Sequence, residues 1–456
     1  MASATIRGPI EVNAFDGKGT FAGHLSDTIL EWALANEPAR VRTWLKAPPD
    51  ADPRNWADPR NGWGLVLPAP AGPTLPTLPA PLAELLARRS EAMGTPAPVL
   101  HYDPGPEHLG CLLRDGEPLP VSQSLYGTQA GAVPRYLLIC AGPEQIPWQV
   151  QYALNVSGRC VGRLPLAGSG LENYVRALLD DWRGSAADPH AALVWAAQNG
   201  PLDITTLLRR SIAEPVVARL RNDDELRDGL CYLDGSVHDG ATAASLACEL
   251  AARKPGFVLT TSHGMAGPLD DVAQMQSQLG FLVGSGGQLV GPELLRDWQP
   301  DGAIWYAHAC CSAGSDSTST FDALFEAASP MHQLLRGVAR CGARVAPLPL
   351  ALLGAAKPLR AFIGHVEPTF NWTLMHKQTA RFTTAPLTQA LYGKLFQPLP
   401  LGHALEALFA PVAGLYAAYD RARDRASAAD MLYRLLVVRD LQGTVILGDP
   451  TVALPL

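Results

Sequence analysis

Phe257-Val258-Leu259-Thr260-Thr261-Ser262-His263-Gly264 is the stretch on which the reading of this chain turns. An apolar, β-branched run of this length reads as a buried strand, and it delivers a histidine followed at once by glycine. Glycine there lets another backbone approach closely and leaves its N–H free to donate to a developing oxyanion. Ala303-Ile304-Trp305-Tyr306-Ala307-His308-Ala309-Cys310-Cys311-Ser312-Ala313-Gly314 repeats the form, with small residues around a pair of thiols. A thiolate attacks a carbonyl, an imidazole manages the proton, and nearby N–H groups hold the oxyanion, which together make the minimal acyl-transfer set.

Outward from these segments, strand and helix alternate. Tyr136-Leu137-Leu138-Ile139-Cys140 is a short apolar run that ends at Ala141-Gly142-Pro143, and Leu171 to Trp182 has helical spacing. Leu230-Cys231-Tyr232-Leu233 precedes a helix over 242–253. Short strands separated by helices predict an α/β fold whose mostly parallel sheet carries helices on both faces. Ligands in such sheets sit at the carboxyl ends of the strands, where His263 and the two cysteines fall.

Residues 1 to about 125 differ in composition. A tandem Ala51-Asp52-Pro53-Arg54-Asn55 and Ala57-Asp58-Pro59-Arg60-Asn61 precedes a proline-rich run from Pro68 to Pro81. Proline at that density removes backbone donors and fixes φ, so the run predicts an extended, semi-rigid spacer. Leu82 to Met93 follows with helical spacing. The expected organisation is an N-terminal accessory region over 1–125, a preceding α/β unit over 126–225 and a catalytic unit over 226–456.

Of the 456 residues, 47% are hydrophobic and 17% charged, which is globular composition. A net charge of −7 without a dense Lys/Arg block offers no footprint for a phosphate backbone, so nucleic acid is excluded as the main partner. Met1 to Phe15 lacks a basic start and an apolar core, and no stretch approaches the roughly eighteen apolar residues of a membrane span. A cytoplasmic protein with no membrane partner is expected. The eight cysteines show no C-x-x-C pair and are expected to be mostly buried thiols, with the adjacent 310–311 pair as the exception. His263, His308, Cys310 and Cys311 lack zinc-ligand spacing. Gly284-Ser285-Gly286-Gly287 is not followed by Gly-Lys-Ser/Thr, and no Gly-x-Ser-x-Gly elbow occurs. No metal or organic cofactor is called for.

A strand ending in His-Gly, followed further on by one ending in Ala-Cys with small residues after it, resembles the catalytic pair of caspase-like cysteine peptidases. That clan includes caspases, metacaspases, separase, gingipains and CHAT proteins. Pro134 to Ile139, Ile146-Pro147 and Val161-Gly162-Arg163-Leu164-Pro165 are similar to the unit that precedes the catalytic part of gingipain-type members. Ala361-Phe362-Ile363-Gly364-His365-Val366-Glu367 resembles a late strand of bacterial CHAT-like relatives, and Val445-Ile446-Leu447-Gly448-Asp449-Pro450 resembles an ending common to both groups. The resemblance covers about 130 to 456.

It implies a caspase-like fold with a gingipain-like preceding unit. It further implies an endopeptidase with His263 as general acid/base and the N–H of Gly264 in the oxyanion site. Its partners would be a protein or peptide substrate and an activating partner or upstream protease, and its role a bacterial proteolytic switch or defence. Alignment on Ala-Cys selects Cys310 as nucleophile, which is favoured, while alignment on Cys-x-x-Gly selects Cys311. Adjacent strand residues point to opposite faces, so one thiol should look toward His263 unless the strand has already ended. His308, two residues before Cys310, is expected to pack rather than act as the base. Asp234, Asp316, His365 and Glu367 are candidates for the substrate pocket, where an acid would select Arg or Lys at the cleaved position. The alternatives are a catalytically silent binding scaffold and a cysteine acyl transferase acting on a small ester or amide.

Overall fold

The computed structural model describes residues 10–25, 51–69, 77–104, 111–120, 125–376, 379–409, 412–415 and 428–456. Strands are numbered in chain order. Twelve of them form one sheet, in the spatial order β12 (Leu230–Asp234), β11 (Asp188–Ala196), β13 (Pro255–Thr261), β17 (Ile304–His308), β20 (Ala361–His365), β21 (Thr444–Gly448), β10 (Cys160–Arg163), β9 (Tyr136–Ile139), β3 (Trp63–Pro68), β4 (Val99–Tyr102), β5 (Cys111–Arg114) and β6 (Glu117–Pro120). β13, β17, β20 and β21 are buried at every position. Continuous apolar runs of this kind are what a strand covered on both faces requires.

Alternation along β9 shows the two covered faces. Tyr136 and Leu138 belong to one core cluster, Leu137 and Ile139 to another. The helix Gly168–Leu179 buries Leu171, Tyr174, Val175 and Leu178, one stripe at helical spacing. The helix Ala243–Arg253 starts at the N-cap Thr242, whose side chain accepts from Ser245 N–H, and buries Ala243, Leu246 and Leu250. The chain is thus an α/β protein. Among the described residues no helix is long and apolar enough to cross a membrane.

The sheet holds two parallel runs that meet antiparallel at its middle, and β5 and β6 continue antiparallel at the far edge. β12, β11, β13, β17 and β20 run parallel to one another, as do β21, β10, β9, β3 and β4. β20 and β21 pair antiparallel. The carboxyl ends of the two halves therefore lie at opposite edges, and His263 and Cys310 follow strands of the same half.

The strand order runs across both expected boundaries. β11, from the supposed preceding unit, lies between β12 and β13 and so belongs to the half that carries His263. Residues before 125 are not set apart either: β3 sits between β9 and β4, and the Trp63 indole donates to Asp449 Oδ2 at 3.1 Å. Asp449 also lies 3.5 Å from Arg89 in the helix Ala80–Met93. The stretch 70–76 of the expected proline-rich spacer lies outside the described residues. The tandem repeat forms the same surface ion pair twice, Arg54 with Asp52 at 2.7 Å and Arg60 with Asp58 at 2.6 Å.

A second sheet crosses the carboxyl ends of β13 and β17. Its order is β16 (Leu289–Val290), β15 (Leu282–Val283), β14 (His263–Met265), β1 (Ile10–Phe15) and β2 (Thr20–Gly23). β14 pairs antiparallel with β15 and parallel with β1. Gly284–Gly287 lies in the turn between β15 and β16. Two ribbons complete the strands, β7 (Leu125–Tyr126) with β8 (Ala132–Val133), and β18 (Gly314–Ser315) with β19 (Arg344–Val345).

Candidate active site

The last rung between β13 and β17 pairs Thr261 with His308. Beyond it Ser262 N–H donates to the His308 carbonyl at 3.3 Å, and His263 and Cys310 come next on their two segments. Gly264 is required at this crossing: a Cβ there would stand 1.8 Å from the Cys310 carbonyl oxygen. The His-Gly sequence thus permits the two strand ends to touch, and Gly264 pairs with Ala14 of β1 and Leu282 of β15.

His263 is fully buried. Its Nε2 lies 2.9 Å and 3.1 Å from the two carboxylate oxygens of Asp203. Asp203 is the N-cap of the helix Ile204–Leu208 and accepts from Thr205 N at 2.9 Å and Thr205 Oγ1 at 2.6 Å. Burial pushes its carboxyl up, but the hydrogen bonds from His263 and Thr205 outweigh that and hold it below the usual range. An ionised carboxylate on Nε2 makes Nε2 the protonated nitrogen and leaves the lone pair on Nδ1. Nδ1 is buried without a hydrogen-bond partner among the described residues, so it bonds to neither thiol.

Cys310 and Cys311 are both fully buried. β17 ends at His308, and Cys311 has φ +56°, so the pair lies in a turn. The expected alternation of faces does not apply there; both thiols belong to one core cluster with Ile10, Val12 and Ala14. The Cys310 sulfur accepts from Thr369 N at 3.1 Å, and the Cys310 N–H donates to the Asn13 carbonyl at 3.3 Å. Cys311 N–H donates to the Glu367 carbonyl at 3.0 Å. Burial pushes both thiols well above the ordinary range. Cys140, Cys160, Cys231, Cys248 and Cys341 are free as well, and Cys248 is exposed.

The four residues suggested for a substrate pocket are held by internal partners. Asp234, at the end of the edge strand β12, accepts from Ser236 N at 2.9 Å and lies 3.6 Å from Arg209. Asp316 is buried and accepts from Gln149 at 2.6 Å. Glu367 is buried and accepts from Thr320 Oγ1 at 3.1 Å; burial, outweighing the hydrogen bonds, pushes it up to about 7. His365 Nε2 lies 3.2 Å from His308 Nδ1, which the Tyr306 hydroxyl also contacts at 2.9 Å. Burial pushes His365 down to about 3 and His308 well below its usual value. Both rings, with Asp440, line a largely apolar cavity of ≈ 260 Å³.

Asp203, Asn13 and Thr369 were not foreseen. Asp203 had a signal: the apolar run Ala191 to Ala197 is followed by Gln198-Asn199-Gly200 and then by an acid before a helix, as strand, loop and N-cap would read. Asn13 and Thr369 had none. Among the described residues no His/Cys/Asp/Glu group is arranged to hold a metal ion. No protein-family model matches the chain, and no curated protein matches it.

Proposed function

We propose that the chain is a cysteine endopeptidase of the caspase-like type, with Cys310 as nucleophile, His263 as general acid/base and Asp203 orienting the imidazole. The observation that carries the reading is the juxtaposition of His263 and Cys310 just beyond the last rung of two neighbouring parallel strands, with a carboxylate behind the histidine. The strand order β12-β11-β13-β17-β20, with both reactive groups at its carboxyl edge, supports the caspase-like assignment.

In this mechanism His263 Nδ1 takes the thiol proton and the Cys310 sulfur attacks the peptide carbonyl, forming a C–S bond. The N–H groups of Cys310 and Gly264 receive the oxyanion. The C–N bond breaks as His263 returns the proton to the leaving amine, and water then hydrolyses the thioester. No further group is consumed. A role in a bacterial proteolytic switch, triggered by a partner or an upstream protease, rests on the resemblance alone.

A second reading, a silent scaffold, is favoured by the burial of both thiols. The two are separated by incubating the protein with a peptide chloromethyl ketone and mapping the adduct by mass. One adduct at Cys310, lost in His263→Ala, supports the enzyme. Absence of any adduct at Cys310 or Cys311 supports the scaffold.

A further inference from the structure

β1 lies across both reactive strand ends, and Asn13 is the residue of β1 that bonds to both of them. The Asn13 side-chain amide donates to the Ser262 carbonyl, just past β13, and, at 3.3 Å, to the His308 carbonyl at the end of β17. Its backbone brackets Cys310: Asn13 N–H donates to the Thr369 carbonyl at 3.0 Å, Asn13 O accepts from Cys310 N–H at 3.3 Å, and Thr369 N–H donates to the Cys310 sulfur at 3.1 Å. One carbonyl of β1 thus occupies the position where the nucleophile's own N–H would receive an oxyanion. Phe15 covers the other reactive group, its ring stacked on His263 with centroids 6.5 Å apart. The strand runs parallel to β14, with Ala14 beside Gly264 and Phe15 beside Met265.

β1 also has an ordinary ladder with β2 and β14, but a ladder needs no side-chain bonds to the ends of other strands. Here Asn13 takes up the free N–H of the nucleophile and both terminal carbonyls, while its own Oδ1 is buried without a partner among the described residues. We propose that β1 is an intramolecular occupant of the peptide-binding slot, with Asn13 standing where the cleaved residue of a substrate stands. This rests on the peptidase reading. The slot then takes an extended peptide running parallel to β14, apolar at the positions of Ile10 and Val12 and carrying a carboxamide side chain at the position of Asn13. In the form described the site is closed, and it opens when the β1–β2 hairpin leaves.

The test keeps the full chain and inserts a site-specific protease sequence between residues 26 and 50, so that one cut frees the hairpin. Alkylation of Cys310 by iodoacetamide is followed by peptide mass mapping before and after the cut. It is expected to accelerate at least ~10-fold once the hairpin dissociates, and excess peptide Ile-Glu-Val-Asn-Ala-Phe should reverse the gain. The opened protein should cleave an acetyl-Ile-Glu-Val-Asn aminomethylcoumarin at least ~10-fold faster than its Leu counterpart. If the hairpin stays bound after the cut, Asn13→Ala in the intact chain decides, with faster alkylation of Cys310 expected. Unchanged alkylation in a protein whose hairpin has dissociated, or in Asn13→Ala, overturns the occlusion. Equal turnover of the two peptides overturns the placement of Asn13. Faster alkylation with neither peptide cleaved leaves the occlusion standing and removes the peptidase reading instead.

Discussion

The Asp203 carboxylate holds His263 by Nε2 at 2.9 Å across 60 residues of sequence. That contact fixes which imidazole nitrogen is free for proton transfer. Asp203→Ala should lower turnover of the opened protein by ~100-fold or more, in the range seen when general acid/base help is impaired. Asp203→Asn should be nearly as poor, because an amide no longer stabilises the imidazolium. Turnover within a few-fold of wild type, with unchanged circular dichroism, would show that the carboxylate has no part in the chemistry.

The two thiols differ in their surroundings although they share a turn. Cys310 alone has its sulfur bonded to Thr369 and its N–H directed at the Asn13 carbonyl. In the opened protein Cys310→Ala should abolish labelling by a peptide chloromethyl ketone, while Cys311→Ala should retain a measurable fraction. The opposite pattern moves the nucleophile one residue and keeps the class.

Glu367 should leave a signature in the pH dependence of stability. Its carboxyl is pushed by burial from the ordinary 4.5 up to about 7, so the fold favours the neutral acid. That contribution is complete below about pH 4.5 and is lost as pH rises through about 7. His365, pushed from 6.5 down to about 3, acts with the opposite sign: its contribution is present above 6.5 and lost as pH falls toward 3. The difference between two proteins isolates the acid. The Tm advantage of Glu367→Gln over wild type should grow from pH 5 to pH 8. A flat or shrinking difference would contradict the buried neutral form.

Removal of the first 130 residues should ruin the protein. A chain starting at Gly131 loses β3 to β6 and leaves β9 as a buried strand with an open edge, a ready site for aggregation. Trp63→Ala alone should cost about 3–5 kcal/mol, the usual range for a buried aromatic. A monomeric, two-state chain from Gly131 by size exclusion and denaturant unfolding would restore the N-terminal region to an accessory.

What could be read from the sequence follows from what an apolar run reports. β9, β12, β13 and β17 were legible because each is a continuous apolar segment, β20 through its resemblance to a late strand, and the residues after β13 and β17 carried the reactive groups in plain view. An apolar run records burial, however, and not the identity of its neighbours. The antiparallel junction of β20 and β21, the place of β11 between β12 and β13, and the entry of β3 into the sheet are pairings of distant segments. Asn13 reaches Ser262 across 249 residues, and nothing near Asn13 announces it. The alternation rule for Cys310 and Cys311 failed because β17 had ended, and the left-handed Cys311 turns both thiols into one core.

Whether His263 and Cys310 act together is decided by opening the site with the engineered cut, treating with the chloromethyl ketone of acetyl-Ile-Glu-Val-Asn, and mapping the modified residue by mass. A single adduct at Cys310 is expected, absent in His263→Ala and at least ~100-fold slower to form in Asp203→Ala. An adduct on any cysteine other than Cys310 and Cys311, or labelling at Cys310 that is equally fast without His263, would contradict their joint action.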